Sequence, residues 1–129
     1  MRDAFVKTLI MLAKKDRNIE LLVGDVGFGV MQPFWEKLPD QFTDVGIAEQ
    51  NMMALAAGMA REGKTVFVYS IGNFPTLRCL EQIRNDCAYH KANVKIVCVG
   101  GGMTYGSLFD ATQTMVSKVD EDTYQVQVV

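Results

Sequence analysis

Apolar residues fall along this chain in two kinds of block, one with helical spacing and one in short continuous runs. Phe5, Leu9, Leu12 and Ala13 share one helical face, broadened by Val6 and Ile10, which predicts an amphipathic helix over residues 2–15. Ile19-Glu20-Leu21-Leu22-Val23 reads as a short apolar strand, closed by Gly24 and the loop 25–29. Met31 to Lys37 suits a short helix stopped before Pro39. Phe42 to Val45 is a brief strand leading into a helix that starts at Glu49 and closes at Glu62-Gly63, with glycine in the C′ place. Thr65 to Ser70, β-branched and aromatic, is a buried strand, and Pro75 to Tyr89 a helix with proline in its first turn. Val94 to Val99 is a further strand, followed by Gly100-Gly101-Gly102; Tyr124 to Val129 alternates apolar and polar, as one edge strand would. Strands alternating with helices through short loops predict a three-layer α/β domain with a mainly parallel sheet covered on both faces.

The segment Met52 to Ala60 contains no charge, and a helix apolar on every side belongs inside a protein or an assembly. Glu49 would then stand at the edge of a dry region, where loss of water disfavours the charged form of a carboxyl. A carboxyl in that state can share or donate a proton in general acid–base chemistry. The alternative is an acidic first-turn residue favoured by the helix dipole and bonded to free backbone N–H groups. The segment alone leaves both readings open. Position argues for the first: the Asp25 loop, the Glu49 turn, the Ser70–Phe74 loop and the loop at 100–102 all follow strands. In parallel sheets, ligands bind beyond the carboxyl ends of the strands, so these four segments should converge on one edge.

At 129 residues the chain allows one domain, and a net charge of −2 gives no electrostatic reason to expect nucleic acid or an anionic membrane. No apolar run reaches the roughly 20 residues that span a bilayer. The N-terminus lacks the apolar stretch of a signal peptide, so a cytoplasmic protein is expected. Cys79, Cys87 and Cys98 have no metal-ligand spacing and His90 is the one histidine, so the thiols read as buried, reduced and apolar. Neither glycine-rich stretch fits a phosphate loop: Asp25 puts an acid where a phosphate would approach, and the triple glycine lacks a following Gly-Lys-Ser/Thr.

Three stretches carry a family resemblance: Gly24-Asp25-Val26-Gly27; Phe42 through Asn51 with its core Gly46-Ile47-Ala48-Glu49-Gln50-Asn51; and Ala56 through Gly63. With Tyr69 to Phe74, Arg78 to Asp86 and Gly100 to Gly106, they resemble the pyrimidine-binding domain of transketolase, in register over about residues 2–108. The likeness is strongest to separately encoded C-terminal transketolase subunits, with deoxyxylulose-phosphate synthases as related enzymes; Met1 stands where such subunits start. The resemblance implies the thiamine diphosphate-binding fold, pyrimidine module. It also implies a cofactor shared between chains, with diphosphate and Mg²⁺ held by a partner subunit and the aminopyrimidine held here. Glu49 matches the glutamate that bonds the pyrimidine ring nitrogen and promotes ylid formation. Phe74 matches the ring stacked on the pyrimidine, Ile71 a residue lining the same slot, and Asp25 an acid near the thiazolium. Arg78, Arg84 and Glu81 read as solvated helix positions or dimer contacts, and His90 as a surface group. The implied activity is two-carbon ketol transfer between sugar phosphates, with the chain paired to itself, to a diphosphate-binding subunit, or to both.

The likeness fades after Leu108. Gln113 or its neighbours stand in place of a substrate-contacting histidine, residues 116–122 are poorly patterned, and the family's further C-terminal domain is not represented. Residues 1–108 are therefore expected to form the pyrimidine-binding domain and 109–129 a divergent tail. The alternative to an enzyme half is a truncated, catalytically inactive remnant serving as a binding or regulatory module, or a gene fragment.

Overall fold

The computed structural model describes residues 2–100 together with the backbone of two strands, Thr114–Lys118 and Tyr124–Val128. Helix α1 (Arg2–Ala13) is followed by strand β1 (Ile19–Val23), helix α2 (Gln32–Lys37) and a 3₁₀ turn at Pro39–Gln41. Strand β2 (Phe42–Asp44), helix α3 (Glu49–Arg61), strand β3 (Thr65–Ile71), a mixed helical segment over 77–88 and strand β4 (Val94–Val99) complete the main body. The four strands form one sheet in the order β2-β1-β3-β4, parallel at every pairing. All four therefore end on the same edge, as the sequence predicts. The expected strand at 124–129 is β6 (Tyr124–Val128); it pairs antiparallel with β5 (Thr114–Lys118), and the two make a separate two-stranded sheet. The sequence pattern places no strand at 114–118.

Each sheet face has its own core. On one side Val6, Leu9, Ile10 and Ala13 of α1 pack with Leu21, Val23, Tyr69 and Phe34. These α1 positions follow i, i+3, i+4, i+7, and this stripe rather than the one through Leu12 is buried; Leu12 is exposed and Phe5 half-buried. Buried Gln41 finishes this layer, its amide donating to the carbonyls of Ala13, Asp16 and Ile19 at 3.2, 3.0 and 2.7 Å. On the other face Met52, Met53, Ala56 and Ala57 of α3 pack with Leu22, Val66, Val68, Cys79 and Cys87.

Three expectations need correction. Helix α3 is not wholly buried: Gln50, Asn51, Ala54, Leu55 and Gly58 face outward, because a 3.6-residue period on one sheet buries only one stripe. The helix expected from Pro75 begins at Leu77 and is irregular, with a 3₁₀ turn Leu77–Cys79, an α turn Leu80–Gln82 and a π-helical stretch Ile83–Ala88. The Thr76 hydroxyl donates to the Gly72 carbonyl at 2.9 Å, holding 72–76 as a turn that displaces the helix start. Cys98 is exposed, unlike buried Cys79 and Cys87; all three thiols are free. No helix among the described residues is long and apolar enough to cross a membrane.

Candidate functional site

Among the described residues, three consecutive strand-to-helix connections line the carboxyl edge of the sheet. At the end of β1, Gly24 is buried, and a Cβ there would meet the Gly46 carbonyl at 3.4 Å and Glu49 Cγ at 3.7 Å. The β1 connection thus packs closely against the loop that delivers Glu49. At the end of β2, one oxygen of Asp44 accepts the backbone N–H groups of both Asp25 and Gly46 at 2.9 Å. That oxygen ties the β1 and β2 connections together. Gly46 has φ +71°, a left-handed conformation that suits glycine and turns the chain toward α3.

Glu49 is the first residue of α3 and is buried at 3 % exposure. Its Oε2 accepts a hydrogen bond from Arg78 Nη1 at 2.7 Å, closing an ion pair across 29 residues of sequence. The same guanidinium lies over the Phe74 ring, its Cζ 4.3 Å from the centroid. Glu49, Arg78 and Phe74 thus form one stack-and-bridge arrangement. The turn beneath it is well tied: the Phe74 N–H donates to the Ile71 carbonyl at 2.8 Å, and Cys79 Sγ to the Phe74 carbonyl at 3.2 Å. Burial pushes the Cys79 thiol up to about 11, with the Glu49 charge adding to this and the Arg78 charge opposing it.

Of the residues singled out in the sequence, Glu49 and Phe74 meet through Arg78. Ile71 ends β3, half-buried and in register with Val99. Asp25 is exposed on its loop at φ +54°, uncommon for a residue with a side chain. Two corrections follow. Arg78 is no solvated bystander but the partner of Glu49, and Glu49 is not a lone dry acid. Asp44 reads in the sequence only as part of a strand, although Asp two residues before Gly is the signature of an Asx turn. For Arg78 the local pattern carries no such signal. Gln113 and residues 101–102 lie outside the described residues, and among the described residues no group of three His, Cys, Asp or Glu could hold a metal ion.

The family described as transketolase, pyrimidine binding domain, matches residues 1–115. The chain belongs to this family. An apulose-4-phosphate transketolase subunit of Phocaeicola vulgatus is 43% identical over 108 residues, covering 83% of this chain and 35% of that protein. A putative transketolase C-terminal section of Methanocaldococcus jannaschii is 44% identical over 107 residues, covering 82% and 34%. The chain thus spans about a third of the length of the curated relatives it matches. Among solved structures, a split gene transketolase described as an inactive beta4 tetramer superposes with a TM-score of 0.69 at 37% identity, covering 75% of this chain and 32% of that one. This pyrimidine-binding domain therefore carries the family fold, and Glu49, Arg78 and Phe74 all lie within the matched stretch.

Proposed function

We propose that this chain is the pyrimidine side of a thiamine diphosphate-dependent, transketolase-like enzyme, active in two-carbon ketol transfer between sugar phosphates when joined to a diphosphate-binding subunit. The observation that carries the reading is the pairing of a buried carboxyl with an aromatic ring at the carboxyl edge of a parallel sheet. An aminopyrimidine suits that donor set. Glu49 already accepts an N–H donor and Phe74 already receives a flat group, so both contacts are geometrically available to one planar ligand.

In this reading Glu49 holds the ring nitrogen and its proton, Phe74 stacks on the ring, and Ile71 lines the apolar side. Asp25, on its exposed loop, sets a negative charge near the thiazolium. When bound, thiamine diphosphate supplies the nucleophilic carbon for making and breaking bonds beside carbonyl groups, while the chain orients it and keeps water away. Diphosphate and Mg²⁺ belong to the partner; the Gly24–Gly29 loop, with its exposed acid, supports that division. Exposed Ile47 and Leu55 on the Glu49 side of the domain support a partner or second copy covering this edge. A cytoplasmic setting accords with the reading.

The test is reconstitution with a diphosphate-binding transketolase subunit, following C2 proton exchange of thiamine diphosphate. Glu49→Gln should slow exchange by at least about 100-fold, the lower range for loss of a positioned proton-transfer group. Exchange at the unaltered rate would overturn the role of Glu49. Exchange without two-carbon transfer would favour the inactive-module alternative.

A further inference from the structure

Glu49 and Phe74 do not face each other across open space; one side chain of the same domain already satisfies both. We infer that Arg78 is an internal occupant of the pyrimidine slot, its guanidinium standing where the N–H edge and ring face of the heterocycle would lie, and that it must swing out for a ligand to bind. The inference rests on the functional reading above and adds to it a residue that sets the affinity and selectivity of the slot.

Four observations converge. A guanidinium is planar and carries N–H donors in its plane, so a single group can both donate to Glu49 at 2.7 Å and lie over Phe74 at 4.3 Å. An aminopyrimidine has the same two properties. Second, the two partners differ in exposure: the Arg78 side chain is 45% exposed and that of Glu49 3%, so the base lies on the open side of the acid. Third, the Arg78 backbone is fixed independently of its side chain. Its N–H donates to the Asn73 carbonyl at 3.2 Å, and its carbonyl accepts the Gln50 amide at 3.1 Å. Release therefore requires side-chain rotation alone. Fourth, Arg78 borders a shallow cleft that is also lined by Glu81 and Asn85, an acid and an amide able to receive the displaced cation.

The energetics make the device selective. Withdrawing the guanidinium leaves a buried carboxylate without a donor, a cost that water in a 3 %-exposed position offsets poorly. A ligand opens the slot only if it returns an N–H to Glu49 and a flat face to Phe74. The apparent affinity of any such ligand is reduced by the fraction of time Arg78 spends outside.

The experiment titrates 4-aminopyrimidine, which can offer Glu49 an N–H from its amino group or from its protonated ring nitrogen, into the full chain and its variants, observed by NMR through the Phe74 ring and the Arg78 side-chain signals. In the unaltered chain the Arg78 methylene protons should carry a ring-current shift that fades as the probe binds. Arg78→Ala should bind the probe on the order of tenfold more tightly, as expected when a competitor filling the slot about nine-tenths of the time is removed. Arg78→Gln, which keeps a polar chain but loses the cationic plane, serves if the alanine variant folds poorly and should shift affinity in the same direction. Glu49→Gln should weaken binding in either background. Equal or weaker binding by both Arg78 variants, with Glu49 dependence intact, would overturn the occupant role and leave the functional reading standing. Binding by none of the forms, or binding indifferent to Glu49, would overturn the occupant role, while the functional reading stands or falls on proton exchange in the reconstituted complex.

Discussion

Two ion pairs lie at opposite ends of the same sheet and differ instructively. At the amino ends, Glu20 of β1 meets Lys64, just before β3, at 3.0 Å; at the carboxyl ends, Glu49 meets Arg78 at 2.7 Å. Both join a buried acid to a partly exposed base, with side-chain exposures of 8% and 34% in the first and 3% and 45% in the second. The lower base is a compact ammonium that also donates to the Arg17 carbonyl at 3.3 Å. The upper base is a planar fork resting on an aromatic ring. The lower pair closes a seam between chain segments; the upper one has the shape of a ligand. An ion pair takes its meaning from the surface beside it and from the end of the sheet it occupies.

The comparison can be broken first at its foundation. Met52 is fully buried beside Gly24 beneath the upper pair, and Met52→Ala should cost about 2–5 kcal/mol in urea unfolding. A loss below about 1 kcal/mol would mean that the pair does not stand on a packed floor. Next come the bases themselves. Lys64→Ala and Arg78→Ala should each lower stability by about 1–2 kcal/mol, well short of a fully buried pair because both bases reach solvent. Lys64→Ala should leave aminopyrimidine affinity unchanged while Arg78→Ala raises it. Parallel changes in affinity would erase the distinction between the two ends.

The smallest effect concerns the thiol next to the upper pair. The folded state raises Cys79 from 9.0 to about 11, so it retains a proton that the unfolded chain releases. The associated stability is present below about pH 9 and is lost as pH rises toward 11. Urea midpoints at about pH 8 and about pH 10.5 should show the fall, and Cys79→Ala should reduce it. A fall of the same size in the variant would assign it to other groups.

Much of this was legible along the chain, for identifiable reasons. The inner strands β1 and β3 read as mostly apolar runs because a parallel sheet is covered on both faces, whereas edge strand β4 is only partly buried. The start of α3 at Glu49 was visible from the glycine turn before it. Outward-facing Ala54 and Leu55 were not, since an apolar side chain does not reveal whether its neighbour is this chain or another. The late start of the helix after Thr76 depended on one hydroxyl choosing a carbonyl four residues back. The Arg78–Glu49 bridge depended on tertiary approach across 29 residues, for which no local spacing exists. The residue pattern supplied Glu49 as a candidate and the family resemblance Phe74, and only the fold revealed what lies between them.

The Asp44 carboxylate oxygen that gathers two backbone N–H groups has a consequence for heredity. Gly24, Asp44, Glu49, Phe74 and Arg78 all fall within residues 24–78 of the chain, and the cross-links among Asp25, Asp44, Gly46, Glu49, Gln50 and Arg78 are internal to that stretch. Recombination breakpoints on either side of it would move the whole assembly as a cassette.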